Sequence, residues 1–277
     1  MEYSYVSMKN SLENNKFHFK KKFGQNFICD ENLIDKIINN VEIDKDTLVV
    51  EIGPGYGTLT NKIAFKAKNV LCFEIDTTLK PILEENLKEH KNIEIVFEDF
   101  LKTDVLKYLQ KYKYNKLYMV ANLPYYITTP IIMKIIEDKI PFDKISVMVQ
   151  KEVADRFSAK PNTKDYNSLT IYLNYYYNVR KVMNVSRKVF TPEPKVDSMI
   201  VEFTKKPTKL FLTNEEIFFK LVRDSFKQKR KTIKNNLKNY DLTKIESVLK
   251  EHGFDLNTRA EQIPDDIFAL IANKIGW

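Results

Sequence analysis

Three of the six glycines in this 277-residue chain fall within five positions, in the loop EIGPGYG that contains Gly53, Gly55 and Gly57. An apolar, β-branched run precedes the loop and apolar residues at helical spacing follow it, which predicts a strand-to-helix turn. Glycine tolerates φ > 0 and lets a ligand approach the backbone closely. About twenty residues downstream, Glu74 ends a second apolar run, where a carboxylate can accept hydrogen bonds from ribose hydroxyls. The spacing therefore predicts a site for a nucleoside cofactor.

Glu51, two residues before the first glycine of the loop, helps to choose among cofactors. The third glycine also comes one residue earlier than in the dinucleotide pattern. A carboxylate repels a pyrophosphate but attracts a cation, and S-adenosylmethionine carries a sulfonium and an ammonium group without a phosphate. The loop therefore favours a methyltransferase that uses S-adenosylmethionine over a nicotinamide enzyme, and a purely structural turn is the third interpretation.

The tetrad Asn122, Leu123, Pro124 and Tyr125 follows another apolar run, at the edge of the predicted sheet where ligands bind in open α/β folds. The lone pair of an exocyclic adenine amine is delocalised into the ring, so methylating it requires hydrogen-bond acceptors that draw the nitrogen toward tetrahedral geometry. Asn122 Oδ1 and the Leu123 carbonyl, held by the rigid Pro124, can supply two acceptors, and Tyr125 can stack on an extruded base. The alternative is an ordinary Asn-Pro turn with a buried tyrosine.

Two further residues are weaker candidates. Asp99, two residues after a third apolar run, is suited to accept a hydrogen bond from the amino group of the cofactor's adenine, although an isolated Asp at such a place is also typical of a helix cap. Phe190, in FTPEPKVDS, is a candidate for the second face of a base sandwich with Tyr125. The alternative for Phe190 is a core aromatic that supports the proline-rich loop.

These residues are positioned by alternating strand and helix patterns, which predict a Rossmann-like α/β core. The predicted parallel strands are Thr47–Ile52, Asn69–Ile75, Ile93–Phe97, Lys116–Ala121 and Lys144–Val149. Two later β-prone runs, Ser168–Tyr177 and Ser198–Thr204, are expected to extend the sheet as an antiparallel hairpin. We therefore expect a catalytic domain over residues 1–204, with a basic N-terminal segment over 1–30, and a smaller all-α domain over 205–277.

The helical domain begins after a linker, KKPT, at residues 205–208. Two capping boxes are predicted there: Thr213 with Glu216, and Thr243 with Glu246.

The chain has a formal charge of +8, a pI near 9.1, 15 Tyr and 18 Phe, which suits a partner with phosphates and bases. A lysine-rich proteome would explain the charge equally well, so the clustering of basic residues along the chain has to decide between the two explanations. One cluster lies near the start, at Lys16 and Lys20 to Lys22. The other is predicted to bind RNA and contains Lys227, Lys229, Arg230, Lys231 and Lys234. Within it, spacings of four, three and four from Lys227 to Lys238 predict one basic helical face, and a solvated surface face is the alternative.

Other chemistry finds little support in the sequence. Cys29 and Cys72 are far apart and have no CxxC spacing, which favours neither a disulfide framework nor zinc. The three histidines, His18, His90 and His252, are isolated from possible ligands, so no metal site is expected. The sequence also lacks the pattern of a signal peptide or a membrane span, and we expect a cytoplasmic protein.

At this point the motifs resemble those of the small-subunit ribosomal RNA adenine dimethyltransferases, the RsmA or KsgA family. The resemblance rests on KKFGQNFICD, VVEIGPGYGTLT, FEID, EDFL, ANLPYYITTPII, MVQKEVADR and FTPEPKVDSMIVEF, together with SFKQKRKTIKNNL and RAEQIPDDIFAL in the helical domain. It implies a class I methyltransferase sheet with a smaller all-α C-terminal domain. It also implies S-adenosylmethionine contacts from Asn26, Ile28, Gly53, Glu74, Asp99 and Asn122. Ile28 stands where the family more usually has leucine, which keeps an apolar contact.

The resemblance further implies a reaction: transfer of two methyl groups to each of two adjacent adenines in the 3′-terminal hairpin of 16S ribosomal RNA. The enzyme would act as a monomer on a small-subunit (30S) particle during ribosome biogenesis. Two alternatives stay open. One is a large-subunit enzyme of the macrolide-resistance type, which has similar motifs but a less similar helical domain. The other is a non-catalytic assembly factor, which the intact NLPY tetrad disfavours.

Overall fold

The structure, a computed structural model, describes residues 8, 10, 12–13, 17–20, 23–28, 30–207 and 210–276. Lys16, Lys21, Lys22, Cys29 and Thr208 lie outside the described residues. Contacts divide the chain into two compact units. The first comprises the described residues up to Ala154 together with Arg180–Thr204, and the second comprises Asp155–Val179 together with those from Lys205 onward.

The main sheet contains β2 (Thr47–Ile52), β3 (Asn69–Phe73), β4 (Ile93–Val96), β5 (Lys116–Asn122), β6 (Lys144–Gln150), β7 (Tyr177–Val185) and β9 (Ser198–Lys205). Their order across the sheet is β4-β3-β2-β5-β6-β9-β7. Neighbours from β4 to β6 pair in parallel, whereas β9 runs antiparallel to β6. A separate short ladder joins β1 (Phe27–Ile28) to β8 (Phe190–Thr191).

The helices of the first unit are α1 (Glu31–Val41), α2 (Thr58–Lys66), α3 (Lys80–Leu87), α4 (Val105–Leu109) and α5 (Thr128–Glu137), while α6 (Lys151–Phe157) crosses into the second. Helix α1 begins at Asp30, whose side chain accepts from the Leu33 amide at 3.0 Å. Strand β2 is buried along its whole length, which is why it reads as a continuous apolar run. Because the strands from β2 to β6 are parallel, their carboxyl ends meet at one edge of the sheet.

The five predicted parallel strands are confirmed, each to within two residues, and so is the α/β fold class. The predicted strand at Ser168–Tyr177 is wrong, because Ser168–Tyr176 forms helix α7. Its apolar and aromatic residues resemble a strand because most of the helix is buried, which weakens the helical period. The local signal that decides for a helix is Asn167, which forms a capping box with Thr170.

The second unit is helical and contains α7, α8 (Glu215–Ser225), α9 (Ile233–Asn236), α10 (Leu242–Glu251) and α11 (Asp265–Ile275). Aromatic side chains join α7 to α8: the rings of Tyr175 and Phe218 lie 5.5 Å apart, and the Tyr172 hydroxyl donates to the Phe219 carbonyl at 2.9 Å. These contacts explain why residues 155–179 group with the second unit. The domain boundary at residue 204 stays a prediction. No helix among the described residues has the length and apolarity needed to cross a membrane.

Both predicted capping boxes are wrong. Helix α8 begins at Asn214, whose side chain accepts from the amides of Glu216 and Ile217, and α10 begins at Asp241, which accepts from those of Thr243 and Lys244. Asn and Asp cap through two short hydrogen bonds, so each competes successfully with the nearby threonine. The predicted linker is also shorter than expected, since β9 extends to Lys205.

We expect Asn214→Ala to lower the free energy of unfolding by about 1 kcal/mol, because two amides at the start of α8 lose their acceptor. Glu216→Ala should cost only a few tenths of a kcal/mol, since Glu216 lies in the first turn and its charge interacts only weakly with the helix dipole. Denaturant unfolding of the two variants measures the difference. A larger loss of unfolding free energy for Glu216→Ala than for Asn214→Ala would instead support the predicted capping box of Thr213 with Glu216.

Candidate active site

A cleft lies at the carboxyl ends of β2 to β5 in the first unit and encloses about 1210 Å³ of space, part of it open to solvent. Ten of the residues predicted from the sequence line it, and they come from five separate motifs. They are Asn26, Ile28, Gly53, Gly55, Glu74, Asp99, Asn122, Leu123, Pro124 and Tyr125. The glycine loop and the NLPY tetrad therefore face the same cleft, as the parallel sheet requires.

All three glycines of the loop have positive φ: 70° at Gly53, 58° at Gly55 and 88° at Gly57. A Cβ at Gly55 would lie 2.8 Å from the Phe27 ring, whereas a Cβ at Gly53 would meet no atom within 4 Å. Gly55 thus lets the N-terminal segment pack closely on the loop, while Gly53 exposes backbone to open space. A ligand in the cleft can approach the chain at Gly53.

Glu74 is buried, and both of its carboxylate oxygens accept hydrogen bonds from the backbone. The Gly55 amide donates to Oε2 at 3.2 Å and the Asp76 amide donates to Oε1 at 2.8 Å. Burial raises the pKa of Glu74 to about 7, although these backbone hydrogen bonds oppose the shift. The Glu74 carboxylate, directly after β3, is therefore oriented by the glycine loop and lies beside the cleft.

Glu51 behaves differently from the negative charge that the sequence suggests. Its side chain is 1% exposed, and burial raises its pKa to about 8. The Cys72 thiol donates to Oε2 at 3.9 Å, and this hydrogen bond opposes the rise in pKa. In the ligand-free protein the carboxyl is therefore mostly protonated at neutral pH, and a cation in the cleft would favour its charged form.

The NLPY tetrad has a specific hydrogen-bonding arrangement. The side-chain amide of Asn122 donates through Nδ2 to the Asn26 carbonyl at 2.8 Å. In the part of the chain that the structure describes, nothing donates to Asn122 Oδ1, so this oxygen is available as an acceptor. Leu123, which is 1% exposed, is the next residue and has a carbonyl oxygen of its own. The Pro124 carbonyl already accepts a hydrogen bond from the Ile127 amide at 3.2 Å. The cleft therefore offers hydrogen-bond acceptors where β5 ends.

The sequence profile of the family described as "Ribosomal RNA adenine dimethylase" matches residues 16–276. The chain is a member of this family. Among curated relatives, "Ribosomal RNA small subunit methyltransferase A" of Oceanobacillus iheyensis is 44% identical over 93% of this chain and 90% of its own length. The protein of the same name from Bacillus mycoides is 43% identical over 96% of this chain and 94% of its own length.

Solved structures agree with this membership. A dimethyladenosine transferase from Plasmodium falciparum superposes with a TM-score of 0.75 at 29% identity, covering 88% of this chain and 95% of that one. The 23S rRNA methyltransferase ErmE superposes with a TM-score of 0.70 at 27% identity, covering 91% of this chain and 100% of that one. The fold is thus that of an rRNA adenine dimethylase over both units of the chain.

The predictions for Asp99 and Phe190 of this dimethylase have different outcomes. Asp99 lines the cleft, and its Oδ1 accepts from the Leu101 amide at 3.0 Å, so it also orders the turn after β4. Phe190 is not among the residues that line the cleft; it is 4% exposed and packs in the core, paired with Ile28 in the β1–β8 ladder. The structure therefore brings Asp99 to the cleft and not Phe190, and the stacking role of Phe190 stays a prediction.

Tyr125 and Tyr126 present aromatic surface at the cleft of the dimethylase. The Tyr125 hydroxyl forms a hydrogen bond of 2.7 Å with Ser198 Oγ, which fixes the half-buried ring. Tyr126 is 55% exposed and lies against Gly24, where an added Cβ would be 3.1 Å from its ring. Sequence reasoning missed Tyr126, and the signal that could have found it is the second tyrosine of the run NLPYY.

The predicted basic face of the helical domain is not formed by one helix. Helix α8 ends at Ser225 and α9 covers only Ile233–Asn236, so Lys227 and Lys231 lie in the turns between them. The Asn236 side chain holds these turns by donating to the Ser225 carbonyl at 2.7 Å. The five predicted RNA-binding residues are nevertheless exposed: Lys227, Lys229, Arg230, Lys231 and Lys234.

Glu51 makes stability depend on pH. Its ordinary pKa is 4.5, so between pH 4.5 and about 8 the folded protein holds a proton that the unfolded chain has lost. The free energy of unfolding therefore falls as pH rises through this window, because each pKa unit is worth about 1.4 kcal/mol. We expect Glu51→Gln to raise stability at pH 8.5 by ~1 kcal/mol or more relative to its effect at pH 4.5. Thermal unfolding at both pH values checks this, and an equal effect at the two would contradict it.

Proposed function

We propose that this chain transfers methyl groups from S-adenosylmethionine to the N6 atoms of adenines in small-subunit ribosomal RNA. The observation that carries the proposal is the orientation of Asn122: its Nδ2 is tied to the Asn26 carbonyl, which leaves Oδ1 free as an acceptor at the cleft. An amide held in this way suits an amine donor, because the tied Nδ2 is not available to repel it. The relatives from Oceanobacillus iheyensis and Bacillus mycoides are named for the small subunit.

The residues present suit S-adenosylmethionine. The open space in front of Gly53 admits a ligand against the backbone, and Glu74 lies about twenty residues downstream where it can accept from ribose hydroxyls. Asp99 would accept a hydrogen bond from the amino group of the cofactor's adenine. Asn26, Ile28 and Gly55 form further parts of the cleft wall. When bound, the cofactor supplies a methyl group on a sulfonium, which is a good leaving group.

The chain's own residues would position the target amine. Asn122 Oδ1 and the Leu123 carbonyl accept its two N–H bonds, which concentrates the lone pair on the nitrogen, and Tyr125 stacks on the base. Because the leaving group is already activated, no strong base has to remove a proton before attack. The second methylation requires the same acceptors to hold an amine with only one N–H left, after rotation about the C–N bond.

The finer parts of the proposal concern the substrate. We propose two adjacent adenines of the 3′-terminal hairpin of 16S ribosomal RNA, methylated within a small-subunit (30S) particle by a monomer during ribosome biogenesis. The exposed basic residues from Lys227 to Lys234 would contact phosphates. A large-subunit target is the second candidate, since ErmE shares the fold, but its identity of 27% is well below the 43–44% of the small-subunit relatives.

We expect Asn122→Ala to lower kcat for methyl transfer to undermethylated small subunits by on the order of 100-fold or more, because an acceptor used in the transition state is lost. Incorporation of labelled methyl groups measures the rate, and mass spectrometry of the digested RNA locates the product. Tyr126→Phe serves as a matched control at the same cleft that keeps the aromatic ring. Near-normal turnover of Asn122→Ala would refute the positioning role, and modification of large-subunit RNA alone would favour the second candidate.

Charge reversal at Arg230 and Lys231 should weaken particle binding and lower the slope of log K against log salt by about 1 to 2, because phosphate contacts are lost. The control is Lys68→Glu with Lys274→Glu, which changes the net charge equally at exposed positions elsewhere. Binding titrations at several salt concentrations compare the two pairs. If both pairs change the slope equally, the basic cluster acts only through net charge and makes no local contact.

A further inference from the structure

The N-terminal segment Phe23–Ile28 forms one wall of the cleft, and its position matters to the amide of Asn122. The Asn26 carbonyl that accepts from Asn122 Nδ2 belongs to this segment. Its regular backbone pairing is limited to the two residues of β1, Phe27 and Ile28. Something besides the sheet must therefore hold the residues before Phe27.

Asp76, which lies two residues beyond Glu74, contacts Gln25 of that segment through one carboxylate oxygen and Lys20, which precedes the segment, through the other. Lys20 Nζ lies 2.6 Å from Oδ1, and Gln25 Nε2 donates to Oδ2 at 2.8 Å. The Lys20 amide in turn donates to Gln25 Oε1 at 2.8 Å, which closes a ring of contacts. The Asp76 side chain is 1% exposed, whereas that of Lys20 is 32% exposed.

Asp76 also contacts Glu74, which lines the cleft. Its own amide donates to Glu74 Oε1 at 2.8 Å, so one residue connects the carboxyl end of β3 with the N-terminal segment. Burial alone would raise the pKa of Asp76, but hydrogen bonds from Lys20, Thr78 and Gln25 outweigh it and leave the pKa below its ordinary value. The carboxylate is therefore charged while it holds the segment.

We propose that Asp76 is a positioning residue that, through Lys20 and Gln25, holds the segment carrying Asn26 so that the Asn122 amide presents Oδ1 to the target amine. This inference rests on the proposed function, because it assigns Asn122 the acceptor role. It extends the site by the side chains of Asp76, Lys20 and Gln25, of which Gln25 also lines the cleft. The pathway runs from Asp76 to the N-terminal segment and from the Asn26 carbonyl to Asn122.

An ordinary surface ion pair would not have this effect, since exposed pairs contribute little. Asp76 differs because its side chain is buried, so removing Lys20 leaves a buried charge without its cation, although Gln25 and Thr78 still donate hydrogen bonds to it. Ring contacts of Phe27 with Phe17 at 6.0 Å and Phe19 at 5.2 Å also hold the segment. Loss of Lys20 should therefore loosen the segment without unfolding the protein.

The test compares Lys20→Met and Asp76→Asn with Lys20→Arg, which keeps the charge. Lys62→Met is the matched control, because it removes a surface pair with Asp35 at 3.0 Å in the same unit. Hydrogen exchange of residues 23–28 is measured in the ligand-free protein, S-adenosylhomocysteine binding is measured by calorimetry, and kcat and KM are measured for methyl transfer. We expect faster exchange at 23–28 and a kcat lower by roughly tenfold or more in Lys20→Met and Asp76→Asn. Lys20→Arg should keep most of the kcat and of the exchange protection at residues 23–28. Lys62→Met should have the same kcat and exchange rates as the unsubstituted protein.

Unchanged exchange at residues 23–28 in folded Lys20→Met and Asp76→Asn overturns the proposal. A fall in kcat that follows a uniform loss of stability, with no local change in exchange, also overturns it. Failure of the proposed function gives a different result, since the parent protein itself would then transfer no methyl groups to small-subunit RNA. In that case local exchange still shows whether Asp76 holds the segment.

Discussion

The hydrogen bond from Asn122 Nδ2 to the Asn26 carbonyl is the interaction on which the arrangement of the cleft depends. A side-chain amide has a donor end and an acceptor end, and fixing the donor end decides which atom meets a substrate. The two partners are 96 residues apart in the chain, so the bond exists only when the N-terminal segment lies against the end of β5. Gly55 permits this close packing, because any side chain there would collide with Phe27.

Burial of carboxyl groups is the second physical feature of the site. Glu51 and Glu74 lie at the ends of β2 and β3, with pKa values raised to about 8 and about 7. Asp76, whose side chain is also inaccessible to solvent, stays charged because hydrogen bonds from Lys20, Thr78 and Gln25 outweigh the effect of burial. The charge of each carboxyl group thus depends on its partners as well as on its burial, and a cationic ligand in the cleft would favour the charged forms of Glu51 and Glu74.

Sequence reasoning predicted the parallel core well, because short apolar runs separated by helical patterns have few other solutions. It failed where tertiary packing overrides local preference. Ser168–Tyr176 contains residues that favour strands, yet its aromatic side chains pack on α8 and it forms a helix. The basic run after Ser225 has helical spacing, but the chain turns there and only α9 is helical. In the first case the Asn167 cap begins the helix and contacts with α8 stabilise it, and in the second the Asn236 side chain holds the turn after Ser225.

The types of the site residues and their order along the chain were determined by the sequence alone. Motifs that each follow a strand must meet at one edge of a parallel sheet, so Gly53, Glu74, Asp99 and Asn122 could be placed together before any coordinates. Only the tertiary structure decided the orientation and charge of these groups. In the folded protein Asn122 is hydrogen-bonded to Asn26, burial raises the pKa of Glu51, Phe190 lies in the core, and Lys20 pairs with Asp76. These properties depend on burial and on partners far apart in the chain, which no local pattern contains.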